Sequence, residues 1–245
     1  DDEALLEATL KLKHINELNP IVPFKNYTYF HILLETLPIF LHANEKYPNC
    51  KLLMCKETPR FVNSIFKFLN IDTNKILFES QPVIVDKAVL VPMHVNGGFI
   101  PQEDIDILRK WFIPKITKVA DKMPSKIYIS RAKSKNRSIE NEIDIETKLK
   151  ELGFQILYFE EIPFADQLSY IYHAKYIVAP HGAGLSNLIV AQPGTKVLEI
   201  LSRNWFNTCY AKLAVQLGLE YSYVETYTEN GNLYVRLDSL TMRIS

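Results

Sequence analysis

Apolar and polar positions along this chain change rhythm near residue 123. Before that point the signals are mixed. Residues 3–18 alternate leucine and charge at helical spacing, and 29–46 predict a second helix. Lys51-Leu-Leu-Met-Cys55 reads as a buried strand. Residues 59–69 put Phe61, Ile65, Phe66 and Leu69 on one helical face. Short strands follow near 75–79 and 83–91, and Asn96-Gly-Gly98 is a loop. Pro101 then opens an amphipathic helix to about 119. After Met123-Pro-Ser125 the pattern is regular: strands at 126–130, 154–159, 176–179, 196–200 and 220–225 alternate with helices at 139–152, 164–173, 183–191 and 205–217. Such alternation predicts a parallel sheet covered on both faces. The expected fold is α/β with two domains, 1–122 and 123–245. The tail, 229–245, carries no readable pattern.

Ligands of parallel sheets bind beyond the carboxyl ends of the strands. That rule places Ser130-Arg131 and His181-Gly-Ala-Gly184 on one rim. In Tyr176-Ile-Val-Ala-Pro-His-Gly-Ala-Gly-Leu-Ser-Asn187, a strand runs into a glycine turn and then a helix start. The first backbone N–H groups of a helix suit a phosphate. Gly182 and Gly184 permit close backbone approach, and His181 adds a donor. A plain βα turn would have the same shape, so the pattern gains weight from its surroundings. Residues 122–137 hold six basic side chains and no acidic one, among them Arg131, Lys133, Lys135 and Arg137. Glu199 ends a later strand, and Glu160 and Glu161 follow the strand at 154–159. His31 and Glu35 lie four apart on a helix and share a face. Either could take a proton from a hydroxyl; a half-buried structural histidine is the alternative for His31. His94 is a weaker candidate, and His173 suits the end of its helix.

These pieces together resemble the signature region of glycosyltransferase family 61, which includes plant β-1,2-xylosyltransferases and animal O-linked GlcNAc transferases. The resemblance rests on Ile127-Tyr-Ile-Ser-Arg131, Arg137 to Glu142, Gly153 to Leu157, Pro180 to Asn187 and Pro193 to Ile200, in that order and spacing. A further match is Tyr29-Phe-His-Ile-Leu-Leu-Glu-Thr-Leu-Pro38, where Thr28 stands in place of the family's frequent Asn. The resemblance implies a GT-B-like fold of two Rossmann-type domains facing a cleft, the first on the acceptor side and the second binding a nucleotide sugar. It implies inverting transfer from a UDP-sugar, with xylose ahead of GlcNAc, to an oligosaccharide or glycoprotein acceptor. Ser130, Arg131, Arg137, His181, Gly182, Ala183, Gly184, Asn187 and Glu199 are the expected donor-binding residues, and His31 or Glu35 the expected base.

Two other functions fit parts of the pattern. A hydrolase could use the His181 turn as an oxyanion hole, but the chain has no Gly-x-Ser-x-Gly elbow, and Ser186 lies between Leu185 and Asn187. A non-catalytic nucleotide-binding module would need neither His31 nor Glu35. No cofactor and no metal are expected. The pair Asp104-Ile-Asp106 resembles a metal motif, yet it falls in the first turns of the helix after Pro101, where acidic groups suit the dipole.

Composition narrows the partners. The 245 residues carry 28 Lys+Arg against 28 Asp+Glu, which argues against a nucleic-acid or polybasic membrane surface. No apolar run reaches the roughly 20 residues of a membrane span. Cys50, Cys55 and Cys209 form no disulfide framework or zinc pattern. Glycosylation acceptors at Asn26 and Asn136 fall inside the matched motifs, where a glycan would obstruct a ligand. That favours a cytoplasmic enzyme of bacterial or viral type over a luminal domain trimmed from a secretory-pathway protein.

Overall fold

The computed structural model describes residues 12–20, 28–54, 59–91, 98–116, 123–133, 139–203, 206–230 and 232–244. These form two compact units, one holding the described residues up to 94 together with 103–108, the other holding those within 95–102 and from 109 onward. No helix among the described residues is long and apolar enough to cross a membrane.

In the first unit, β1 (Lys13–Pro20) pairs in parallel with β4 (Val83–Val89), and β2 (Leu52–Met54) with β3 (Ile76–Phe78). The helix expected over 3–18 is therefore a strand from Lys13, and residues 1–11 lie outside the described set. The physical reason is an irregularity in the β1–β4 register between Ile15 and Leu18. An extra residue breaks strict alternation, so a strand leaves apolar spacings that imitate a helix. The partner strand is far along the chain, and pairing with it overrides local propensity.

The helix expected over 29–46, here α1, forms in three pieces: Tyr29–His31, a π-helical segment Ile32–Thr36, and Leu37–Lys46. The Leu37 N–H reaches back five residues to the Ile32 carbonyl. Pro38, the next residue, has no N–H, so the ladder widens where it could not be completed in the ordinary way. Leu33, Leu34, Leu37, Phe40 and Leu41 are buried, and the Phe40 ring packs 5.1 Å from that of Phe66 in α2 (Phe61–Phe68). The helix after Pro101, α3 (Gln102–Phe112), stops earlier than expected and tightens into a 3₁₀ turn, Ile113–Lys115, that contains Pro114. Proline disfavours continued α-helix at and before its own position.

The second unit is built on a five-stranded parallel sheet of β5 (Lys126–Ile129), β6 (Gln155–Leu157), β7 (Tyr176–Pro180), β8 (Lys196–Leu201) and β9 (Glu220–Glu225). Its spatial order is β6-β5-β7-β8-β9. The chain moves from β5 outward to β6, returns past β5 to β7, then proceeds outward through β8 and β9. β5 and β7 are thus neighbours whose connections leave in opposite directions. The helices are α4 (Glu142–Glu151), α5 (Phe164–His173), α6 (Cys209–Gln216) and α7 (Leu237–Ile244), with a hairpin of β10 (Tyr227–Glu229) and β11 (Asn232–Tyr234) before α7. Tyr128, Val178, Leu198, Ile200 and Val224 line one sheet face against Ile145, Leu149 and Leu240. Each such side chain contributes about 1.5–3 kcal/mol by leaving water. Leu240 belongs to the tail that had no readable pattern. The segment expected as a helix over 183–191 is a 3₁₀ helix, Ala183–Val190, buried from Leu185 onward.

Candidate active site

The sheet topology makes one place special. In doubly wound sheets, ligands settle outside the carboxyl ends of the two strands where the winding reverses. Here those strands are β5 and β7. β5 runs into Ser130 and Arg131, and β7 runs through Pro180 into His181 and Gly182. Ser130 N–H extends the ladder to the Leu157 carbonyl at 2.9 Å, and His181 N–H extends it to the Ile200 carbonyl at 2.9 Å. Both residues are therefore held by the sheet itself.

Arg131 and Gly182 are in close contact. A β-carbon placed on Gly182 would overlap the Arg131 Nη1 and lie 3.2 Å from its Cζ. Gly182 is needed here for space, since its backbone is extended, with φ 178°. Gly184 serves the same purpose toward the sheet: a β-carbon there would lie 3.3 Å from the Phe159 ring and 3.4 Å from Ile129 Cγ2.

Behind Arg131 lies a buried carboxylate network. Glu142 Oε1 accepts from Tyr128 Oη at 2.8 Å, Ser130 Oγ at 2.9 Å and Arg131 N at 2.9 Å. Glu146 Oε1 lies 2.7 Å from the same Ser130 Oγ, so the two carboxylates share its single proton, and Tyr158 Oη lies 2.9 Å from Glu146 Oε2. Burial and the Glu142 carboxylate hold the Tyr128 hydroxyl well above the ordinary phenol range. Burial and Glu146 raise that of Tyr158. Ser130, expected as a donor contact, is 1% exposed and its hydroxyl is committed to this network. Asn141, the residue before Glu142, clamps the backbone of Val235, accepting from Val235 N at 3.0 Å and donating to its carbonyl at 2.8 Å. Sequence reasoning singled out neither Glu142 nor Glu146 as site residues; their spacing of four, which puts both on one face of α4, is the signal that could have found them.

A second buried carboxylate stands behind the glycine turn. Glu199 is fully buried, with Oε1 2.5 Å from His181 Nδ1 and Oε2 2.6 Å from Tyr221 Oη. Glu199, expected to touch the donor directly, has both oxygens engaged by protein groups and reaches the rim through His181. The His181 ring lies 5.2 Å from that of Tyr210, whose hydroxyl is 3.3 Å from Ser186 Oγ. Ser186 is buried, so it presents no exposed nucleophile. Asn187 is likewise buried and donates to Gln167 Oε1 at 3.1 Å, while Gln167 donates to the Phe159 and Ile162 carbonyls at 2.8 Å. It braces the turn from within. Ala183 opens the 3₁₀ helix. Lys133 pairs with Glu161 at 2.5 Å and lies 4.4 Å over the Tyr158 ring. Arg137, Lys135, His94, Asn26 and Asn136 lie outside the described residues.

In the first unit, His31 and Glu35 form a pair. His31 Nδ1 is 2.6 Å from Glu35 Oε2, across the start of the π-helical segment. Glu35 is buried and the His31 side chain is 36% exposed, so the ring is the outward member. An ionised carboxylate only accepts, so a proton on Nδ1 fixes the tautomer with Nε2 outward. Segments of this kind occur often at functional sites. Asp104 of the Asp-x-Asp pair lies in α3, with its Oδ1 3.0 Å from His42 Nε2.

The family model for Glycosyltransferase 61 matches residues 29–198, from the first residue of α1 to the middle of β8. A stretch of 63 residues, 26% of this chain, is 38% identical to a beta-1,2-xylosyltransferase of Oryza sativa subsp. japonica. The stretch spans 12% of that relative's length. The family match takes in the His31–Glu35 pair, Arg131, the buried Glu142 network and the His181 turn, and covers most of the chain; this chain belongs to glycosyltransferase family 61.

Proposed function

We propose that this chain is an inverting glycosyltransferase that moves a sugar from a UDP-sugar to a glycan or glycoprotein, with xylose the favoured sugar and N-acetylglucosamine the next. The observation that carries the reading is the contact of Arg131 with Gly182 at the β5–β7 switch point. A guanidinium there is in place to bind a diphosphate, and backbone N–H groups of the glycine turn add neutral donors. Negative charge grows on the diphosphate as the glycosidic bond to it breaks, so fixed positive groups bind the transition state more tightly than the ground state. Family membership supports sugar transfer, and the rice relative supports xylose.

In this reading the first unit supplies the acceptor side and His31, with Glu35 behind it, removes the acceptor hydroxyl proton. Inversion follows when that oxygen attacks the anomeric carbon from the face opposite the leaving diphosphate. A GT-B arrangement, metal-independent chemistry and a cytoplasmic setting belong to the same proposal. Asp104 of α3 is engaged by His42 of α1, which supports a structural role for the Asp-x-Asp pair.

The test is direct. Purified protein is incubated with UDP-xylose or UDP-N-acetylglucosamine and a panel of oligosaccharides, with EDTA present, and UDP release and product mass are followed. Transfer from UDP-xylose with inverted anomeric configuration is expected. Absence of UDP-sugar binding and of transfer across the panel would overturn the reading.

A further inference from the structure

We propose that Tyr221, on the edge strand β9, is a positioning residue that acts through Glu199 to hold His181 in one tautomer, with Nε2 as an acceptor toward a hydroxyl of the nucleotide-sugar donor. This rests on the transferase reading above for its ligand, and on geometry for its mechanism.

Three neighbouring strands contribute one group each. His181 follows β7, Glu199 lies in β8 and Tyr221 lies in β9. Glu199 is opposite Ala179 in β7 and Tyr223 in β9, so Tyr221, two residues before Tyr223, projects from the same sheet face. The carboxylate bridges the other two groups, 2.5 Å to His181 Nδ1 and 2.6 Å to Tyr221 Oη. A fully buried carboxylate is costly unless its oxygens are satisfied. At this position a branched aliphatic residue would continue the Val197–Leu201 strand at no such cost. The carboxylate is accounted for by what it holds, which is the His181 imidazole at the switch-point rim.

The chemistry fixes the direction of each bond. An ionised carboxylate accepts only, so the Tyr221 hydroxyl donates to Oε2 and His181 donates from Nδ1 to Oε1. Burial and the Glu199 charge keep the Tyr221 proton in place far above the ordinary phenol range. With Nδ1 committed as a donor, Nε2 carries the lone pair of that tautomer and meets the ligand as an acceptor, which suits a sugar or ribose hydroxyl. Tyr221 also limits rotation of the Glu199 carboxylate, since turning it would break both bonds. Loss of the tyrosine hydroxyl leaves Glu199 able to shift and the ring able to change tautomer.

The experiment uses Tyr221→Phe, Glu199→Gln and Glu199→Asp in the full chain. Long-range ¹H–¹⁵N spectra report the His181 tautomer, and steady-state kinetics with UDP-xylose report KM and kcat separately. Wild type is expected to show the Nδ1–H form. Tyr221→Phe should retain the fold, mix the two tautomers and lower kcat about tenfold with donor KM within about twofold, in line with loss of one bond to a charged group. Glu199→Gln should lower kcat about a hundredfold, with Glu199→Asp intermediate. Should Glu199→Gln fail to fold, Tyr221→Phe still decides. An unchanged tautomer and unchanged kcat in folded Tyr221→Phe would overturn the proposal. If wild type neither binds UDP nor transfers sugar, the transferase reading fails; the spectra then still show whether Tyr221 controls the His181 ring.

Discussion

The Arg131 guanidinium occupies the space that a side chain at residue 182 would fill, with its Cζ 3.2 Å from the position of a β-carbon on Gly182. Two separate stretches of chain are thus fitted to each other at the end of neighbouring strands. The contact atoms are the far end of a flexible side chain, so an added methyl would push the guanidinium aside and leave the sheet unchanged. Gly182→Ala is expected to fold normally and to weaken UDP binding about tenfold or more. Arg131→Ala should weaken it further, by about 2–3 kcal/mol, as for loss of a charge-assisted contact. Calorimetric titration with UDP checks both; a folded Arg131→Ala with wild-type affinity would remove the diphosphate from this place.

His31→Ala and Glu35→Gln should separate binding from chemistry. Each is expected to lower transfer by about 10²–10⁴-fold, the range of a lost general base, while UDP affinity stays near normal. Glu35→Gln should be the milder of the two, because the His31 ring remains but loses its carboxylate partner at 2.6 Å. Full transfer by both variants would assign the base to another residue.

The Glu142 network should matter for stability as well as for Arg131. Glu142→Ala removes the carboxylate partner of the buried Tyr128 hydroxyl and of the Arg131 N–H, while Ser130 keeps Glu146, and is expected to cost about 2–4 kcal/mol in urea unfolding. Asp144→Ala, two residues on and exposed, should stay within about 0.5 kcal/mol. Equal effects of the two would show that the network contributes nothing specific.

Alkaline pH should destabilise the fold. Burial, with the Glu199 charge, pushes the Cys209 thiol from 9.0 to about 12. Burial also raises Tyr128 and Tyr221 above their ordinary value of 10.0. Above pH 9 the unfolded chain loses these protons while the folded chain keeps them, so the folded state binds more protons. The stability they contribute is complete below about pH 9 and is lost as pH rises toward 12 and beyond. Urea midpoints measured from pH 8 to pH 10.5 should fall steadily, and Cys209→Ala should flatten the slope. A midpoint that holds or rises over this interval would contradict the assignment.

Transfer should survive EDTA. Asp104→Asn removes a charge from the His42 contact and from the first turn of α3, for which about 0.3–1 kcal/mol of stability is expected with activity retained. Loss of transfer in EDTA that manganese or magnesium restores would overturn metal independence.

Local signals were reliable where local forces decide. Residues 164–173 and 220–225 form the expected helix and strand with no change of bounds. The helix follows Pro163, and the strand follows the turn at Gly218. Periodicity misled at 13–18, where a bulged strand pairs with residues about 70 positions away. It was silent over 229–245, where burial of Leu240 against β5, β7, β8 and β9 supplies the order that local pattern lacks. It read 183–191 as an ordinary helix, where a tighter 3₁₀ turn is packed onto Phe159 and Ile129 through Gly184.

The sequence by itself determined the parallel sheet of the second unit, the glycine turn after β7, the Ser130-Arg131 strand end and the four-residue spacing of His31 and Glu35. Each depends on neighbours within about one turn or one strand, and short-range spacing carries that information. Only the tertiary structure decided which strands are adjacent, because strand order is a choice among crossovers that leaves no mark in local periodicity. That choice made β5 and β7 the switch point and brought Arg131 onto Gly182. It also turned Glu199 and Ser130 inward, since the pleat and the packed helices, not the motif, set which face of the sheet a side chain meets.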